Sequence, residues 1–379
     1  MLGGFGIGVT EFIMMGILPN VANDMSITIP MAGNFITAYA LGVVVGAPLL
    51  VIFASRLSPK TTLILLMVLF TVFNFSSSLV HSYYALITTR FLSGLPHGAF
   101  FGVGSVVASR LADEGKQAQA ISMMFAGLTI ANLLGVPLGT YLAYQFSWNV
   151  IFILVAMIGL LTSLSVWRLI PNIKSINTTQ TSSFSALIKN SNAWITFLII
   201  AVGVSGLFAW FSYIAPLLIK VTLVPKGMVP YVMSLAGAGM VVGNIIGGRL
   251  SDRFSPIKTT MCVLLAMTIA LLIIYFTSRY QIISLCMVFI TGAVAFTLGA
   301  PMQMLVINIS KGSEMLGAAI SQASFNIGNA LGAFLGGVPL MYGFSLNSPE
   351  VVGASMTTIA IFITMLLYFR MKSSPYSNS

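Results

Sequence analysis

The stretch "AGLTIANLLGVPLG", residues 126–139, returns as "ASFNIGNALGAFLG" at residues 323–336. Ala126, Ile130, Asn132, Leu134, Gly135, Leu138 and Gly139 are all repeated 197 positions later. The same shift carries Pro19 to Pro216, Gly42 to Gly239, Val44 and Val45 to Val241 and Val242, Gly46 to Gly243, and Arg56 to Arg253. It also brings "SRLSPKTT", which starts at Ser55, onto "DRFSPIKTT", which starts at Asp252. Chance likeness between apolar segments is common, but one offset surviving across several separate pairs marks an internal repeat.

Composition says what kind of unit is repeated. Of 379 residues, 58% are hydrophobic and 6% are charged, and the mean hydropathy is +1.00. A soluble surface cannot be made from such a chain, so it reads as an integral membrane protein. Apolar runs of about 18 residues or more, each long enough to cross a bilayer as a helix, fill nearly the whole length. The short alternating segments of a β-barrel are absent. Twelve spans are expected: Leu2 to Leu18, Met31 to Phe53, Leu63 to Val80, Tyr84 to Val107, Ala120 to Tyr141, Val150 to Trp167, Trp194 to Ile219, Val229 to Gly248, Thr259 to Phe276, Ile282 to Val306, Leu316 to Val338 and Val351 to Phe369. The first is expected to be retained, because a cleaved signal peptide needs a basic start and a small-residue cleavage site that it lacks.

The formal charge of +10 could suggest a nucleic-acid partner, but the positions of the bases argue against one. Arg56, Lys60, Arg110, Lys116, Arg168, Lys174, Lys189, Arg249, Arg253, Lys258, Lys311, Arg370 and Lys372 all fall on one side of the twelve spans. Only Lys220, Lys226 and Arg279 fall on the other, and Arg90 lies within a span. By the positive-inside rule the base-rich side and both termini are cytoplasmic, as in a multi-pass protein of an inner or plasma membrane. Six spans separate the members of each repeated pair, so the copies share one orientation, a parallel repeat about an axis along the membrane normal. The expected fold is therefore all-α: twelve transmembrane helices in two six-helix bundles, residues 1–170 and 193–379. A polar linker over 171–192, "PNIKSINTTQTSSFSALIKNSN", joins them.

Few residues inside the spans can carry chemistry. Glu11 and Arg90 are the chargeable ones, and either facing lipid would cost about 2.5 to 3.5 kcal/mol, so both should face the interior. A carboxyl removed from water is favoured in its neutral form, which makes Glu11 a candidate proton carrier. Gly4, Gly8, Glu11 and Met15 share a helical face, which is expected to leave room in front of the carboxyl. His97 could share protons with Glu11, and Phe101 falls on the same stripe as Arg90. A buried ion pair, a snorkelling arginine and a hydrogen-bonded histidine are the structural alternatives.

A substrate cavity between the bundles would use Met15, Phe101, Asn132, Trp210, Tyr213, Gln303, Gln322 and Asn326, polar and aromatic residues at membrane depth. Interhelical hydrogen bonding and packing would use the same residue types. Gly127, Gly135 and Gly139 with Pro137 form a close-packing helix face or a hinge. Cys262 and Cys286 read as small apolar fillers of their spans, and no metal-type spacing exists.

At these residues the chain resembles the drug:proton antiporter branch of the major facilitator superfamily, and within it the arabinose-efflux-like permeases. "GVTEFIMMGILP" at 8–19 is similar to that group's first-span signature, and the resemblance implies that Glu11 couples protons or binds substrate. "LITTRFLSGLPHG" at 86–98 resembles the fourth-span motif and implies a coupling role for Arg90. "GLTIANLLGVPLG" at 127–139 resembles the antiporter motif that marks exporters. The family's cytoplasmic loop after span 2 carries an Asp where this chain has Ser55, while Arg56 and Lys60 remain. The second copy keeps Asp252 and Arg253, with Lys258 following. A charged gating latch is thus expected at the second loop more than at the first.

The resemblance implies a proton-coupled exporter of a sugar-like metabolite or amphipathic drug, working by alternating access. An uncoupled facilitator, or an importer of a small metabolite, is the alternative. The expected partners are a small solute, protons and lipid, with no cofactor, and the expected state is a monomer. One Glu, one Arg and one His on two helices make a poor catalytic set, so an intramembrane enzyme is not expected.

Overall fold

A computed structural model describes residues 1–54, 57–114, 117–171, 187, 189–310 and 314–372, leaving aside the side chains of 51–54, 117–119, 121–122, 252, 314–316 and 319. Among the described residues every regular element is a helix. In chain order they are α1 (Leu2–Asp24), α2 (Ile29–Ala54), α3 (Pro59–Leu79), α4 (Tyr83–Leu111), α5 (Gln117–Ile130), a π turn (Ala131–Gly135), α6 (Val136–Gln145), α7 (Trp148–Leu169), α8 (Ser191–Phe211), α9 (Ile214–Lys220), a 3-10 turn (Lys226–Met228), α10 (Val229–Arg253), α11 (Pro256–Thr277), α12 (Gln281–Thr297), α13 (Gly299–Ile309), α14 (Glu314–Met341) and α15 (Ser348–Lys372). Among the described residues, eleven stretches are long and apolar enough to cross a bilayer. The 28-residue α14, packed between α8 and α2, completes the twelve-span plan.

Helix boundaries repeat as the sequence does. Pro59 and Pro256 open α3 and α11, Gln117 and Glu314 open α5 and α14, and both pairs are 197 positions apart. The twin "SP" dipeptides are helix starts. Ser58 caps α3 by accepting from the Thr61 N–H at 3.2 Å, and the proline behind it needs no donor there. Packing repeats as well: α2 lies along α4 as α10 lies along α12, α3 along α7 as α11 along α15, and α1 along α5 as α8 along α14.

Glycine sets these crossings. Gly42 and Gly46 rest on the backbone of Phe91 and Leu95, and Gly239, Gly243 and Gly247 rest on that of Phe289, Ala293 and Thr297. A Cβ at any of them would strike main chain, so small residues let these helices touch where lipid offers no hydrophobic drive. The outward faces carry exposed apolar side chains, as Leu65, Val68, Val72 and Phe75 do on α3.

Three of the expected spans are interrupted. The fifth is interrupted by the π turn, the seventh breaks at Ser212–Tyr213, and the tenth breaks at Leu298. Across the join between halves, α2 lies against α14, α10 against the π turn and α6, and α1 against α9. Cys262 and Cys286 are free and exposed. Arg56, Lys116, Lys174 and Lys311 lie outside the described residues.

Candidate functional site

α1 is buried along most of its length and carries the acid Glu11, which is 2% exposed. Its carboxylate Oε1 accepts from Asn329 Nδ2 of α14 at 3.3 Å, a hydrogen bond that crosses from the first half of the chain to the second. The Asn329 Oδ1 is buried without a partner.

Arg90 is fully buried on α4 and does not meet Glu11 in an ion pair. Its Nη1 donates to Thr10 Oγ1 at 3.0 Å and its Nη2 to the Thr10 carbonyl at 2.9 Å. Snorkelling is excluded by this placement. The guanidinium carbon lies 4.4 Å from the Tyr39 ring centre and 5.5 Å from that of Phe152, so aromatic faces share the charge. Thr10 passes the contact on: its hydroxyl donates to Asn74 Oδ1 at 2.6 Å, and Asn74 Nδ2 donates to the Phe70 carbonyl at 2.8 Å. Helices α4, α1 and α3 are thereby joined by one polar chain whose middle member, Thr10, is the neighbour of the acid in sequence.

His97 has a different partner from the one expected. It shares a 3.2 Å hydrogen bond through Nδ1 with the Tyr39 hydroxyl and makes none with Glu11. The reading of an open space in front of Glu11 also needs correction. Gly4 and Gly8 are filled by α5 and the π turn, with Phe101, Met124, Leu128 and Ala131 against them. These small residues serve close helix contact, as at the other crossings.

The glycines of span 5 face α1: Gly127 meets the Met1 carbonyl and Phe5, Gly135 meets Phe5 and Val9, and Gly139 meets Ile13. Proline accounts for the π turn between them. The Val136 N–H bonds the Ala131 carbonyl five residues back, and Pro137 has no N–H to continue the ladder. The Asn132 carbonyl then lies against Gly237 of α10, at the join between halves.

Among the expected cavity residues, Met15, Phe101, Trp210 and Tyr213 are buried in packing. Phe101 stacks on Phe125 with ring centres 4.8 Å apart, and the Trp210 Nε1 has no acceptor. Phe12 of α1 stacks on Phe208 of α8 at 6.2 Å, forming an aromatic contact across the join. Asn132 and Asn326 each donate to their own helices, at Leu128 and Gln322, and Asn326 Oδ1 is left without a partner. Gln322 is half-buried, and Gln303 is exposed on α13.

Tyr213, at the break between α8 and α9, donates to the Ala333 carbonyl at 2.7 Å and sits between Gly33 of α2 and Gly337 of α14. Beyond it, at the base-poor end, lies an 880 Å³ cavity lined by both halves, including Asn20, Asp24, Trp148, Lys220 and Lys226. At the base-rich end Lys60 is half-buried, Arg253 and Lys258 are exposed, and Asp252 is in the last turn of α10.

Sequence reasoning missed Tyr39, Asn74 and Thr10, and did not place Asn329 among the site residues. Asn329 was marked by the repeat, since it is the counterpart of Asn132.

Comparison with known proteins gives one pattern. The family model described as Major Facilitator Superfamily matches residues 1–320 and 211–379. AraJ of Escherichia coli, named as a transporter, is 40% identical over 371 residues, covering 98% of this chain and 94% of its own. The inner membrane transport protein YdhP of the same organism is 34% identical over 365 residues, covering 96% and 94%. A Helicobacter pylori protein named as a sugar efflux transporter is 25% identical over 373 residues, covering 98% and 95%. Among solved structures, a D-xylose-proton symporter superposes with a TM-score of 0.76 at 15% identity, covering 96% of this chain and 95% of that one. The nucleoside transporter NupG gives 0.74 at 14%, covering 97% and 99%.

Proposed function

The chain belongs to the major facilitator superfamily, and we propose that it exports a small organic solute in exchange for protons by alternating access. The observation that carries the coupling is Glu11, a buried carboxyl hydrogen-bonded across the join between the halves. An acid out of water and without a cationic partner within bonding distance exchanges a proton at less cost than it holds a charge. Because its partner belongs to the other half, a change in its charge acts on the contact that must open and close. Glu11 is the proton site in this reading, and Arg90 holds the turn of α1 that carries it.

The two bodies, residues 1–170 and 193–379, rock about the join, with 171–192 as their tether. In this reading Tyr213, bonded to Ala333 of α14 and packed against Gly33 of α2, is one of the contacts that close the join. The base-rich end is cytoplasmic and holds both termini, and the protein lies in an inner membrane, as the name of its relative YdhP supports. Names of relatives favour a sugar-like solute. At a membrane potential of about 150 mV, one inward proton supplies about 3.4 kcal/mol, enough for roughly a 300-fold gradient of a neutral solute.

A thermal-shift screen of the purified protein against pentoses, hexoses, nucleosides and amphipathic drugs identifies the solute. Proteoliposomes with an acid exterior and a trapped pH dye then report coupling. Solute-dependent proton movement is expected, and Glu11→Gln should abolish it while the protein elutes as a folded species. Unchanged proton movement in that variant would remove Glu11 from the role.

A further inference from the structure

The bond between Asn329 and Glu11 has a counterpart that failed to form. The 197-position shift that relates Asn132 to Asn329 relates Glu11 to Phe208. Asn132 therefore has no acid to reach and donates to the Leu128 carbonyl of its own span at 3.1 Å. Asn329, at the same place in the second half, turns across the join and finds Glu11 at 3.3 Å. Both partners are at least nine-tenths buried.

An amide that donates to a carboxylate makes a charge-assisted bond, about twice as strong as the neutral one left when the acid is protonated. Arg90 and Tyr39 lie within electrostatic reach of Glu11, and His97 is bound to Tyr39. None of the three spans the join, since all belong to α2 and α4. The other helices against α1 add little at this depth: α5, the π turn and α8 hold no titratable residue. Tyr141 and Tyr144 of α6, Arg168 of α7, Lys220 of α9, and Tyr231, Arg249, Asp252 and Arg253 of α10 lie toward helix ends.

Resting on the proton-coupled reading above, we propose that Asn329 is the positioning residue through which the second half senses the charge on Glu11. While the carboxylate is ionised, its bond to Asn329 holds α14 against α1. When Glu11 takes up a proton, that bond weakens and the halves are freer to separate. Linkage makes the relation mutual, so the arrangement of the halves biases the proton as the proton biases the arrangement.

The test is a distance measurement between spin labels at Arg168→Cys and Arg370→Cys, in a background of Cys262→Ser and Cys286→Ser. The protein is held in vesicles of phosphatidylethanolamine and phosphatidylglycerol. The population of the present arrangement should grow as pH rises. Asn329→Leu and Glu11→Gln should flatten that response, whereas Asn132→Leu, the same change at the repeat counterpart, should keep it. Where Asn329→Leu fails to fold, Asn329→Asp carries the test. Two carboxylates then face each other, and rising pH should deplete the arrangement. A wild-type response in Asn329→Leu or Asn329→Asp, or equal flattening by Asn132→Leu, overturns the proposal. If the response survives in Asn329→Leu while Glu11→Gln abolishes proton movement, this inference falls and the proton-coupled reading stands.

Discussion

Superposed by the repeat, the two halves share one helix plan and differ in what fills it. The first half buries Thr10, Glu11, Tyr39, Asn74, Arg90 and His97. The shift of 197 places Leu207, Phe208, Ala236, Leu271, Met287 and Val294 at the same positions. On α12 the glycine contacts run one residue later, since Gly94 meets the Tyr39 backbone and Gly292 that of Ala236, so the spatial counterpart of Arg90 is Val288. Either counterpart is apolar. The second half packs its helices with the same glycine contacts and no charge in this region, so the polar chain of the first is not what holds the fold. Chemistry is concentrated in one body, and the other supplies an amide and an aromatic wall.

Four experiments probe that difference. The largest effect is expected from Val288→Arg, which puts a cation where Leu207, Leu271 and Ala236 offer no side-chain acceptor. With a penalty of about 2.5 to 3.5 kcal/mol or more, little folded protein should reach the membrane, as read by size-exclusion of the solubilised fraction. Folded protein at wild-type yield would mean that the second half can host a charge after all.

Arg90→Met makes the reverse exchange. It removes a buried cation that has no carboxylate in contact, so thermal stability should hold or rise while transport falls at least about tenfold, a loss of about 1.4 kcal/mol. A drop in both would show the arginine to be structural.

Gly237→Ala places a methyl against the Asn132 carbonyl and should slow transport severalfold. Its counterpart Ala40→Gly should cost only about 0.5 to 1 kcal/mol of stability and leave transport near normal. The smallest difference is expected at the base-rich loops, where Asp252→Asn should slow transport more than Ser55→Ala. Equal effects would argue against a charged latch in the second loop.

Much of the fold was legible in the sequence because a bilayer demands long apolar runs and the repeat fixes which run matches which. The interior position of Glu11 and Arg90 was legible too, through the cost of showing either to lipid. Their partners were not. In a bilayer both the buried and the outward face of a helix are apolar, so periodicity does not say that Asn74 and Tyr39 turn toward Arg90. Nor does composition fix where α8 breaks, since the nearest proline, Pro216, lies beyond the break at Ser212–Tyr213. Pro137 was read as part of either a close-packing face or a hinge, and the sequence alone did not decide between them. That it yields a π turn facing α10 depends on Gly237, which is far away in the chain.

In the proposed proton exchange, Tyr213 bears on proton tightness. Its counterpart by the repeat is Gly16, and its neighbour Gly337 corresponds to Thr140, which meets Gly16. Bulk is thus exchanged between equivalent positions, and only one half carries the large ring. A phenol has one hydrogen to give, and that of Tyr213 is already committed to the Ala333 carbonyl. The 880 Å³ cavity is lined as far in as Pro30 and Ile219, short of the ring, and in the proposed exchange a file of water that reached Tyr213 would find its proton held by main chain instead of a relay inward. An exchanger that spends a proton gradient on cargo needs such a dead end, because a continuous water path past Glu11 would drain the gradient with nothing moved.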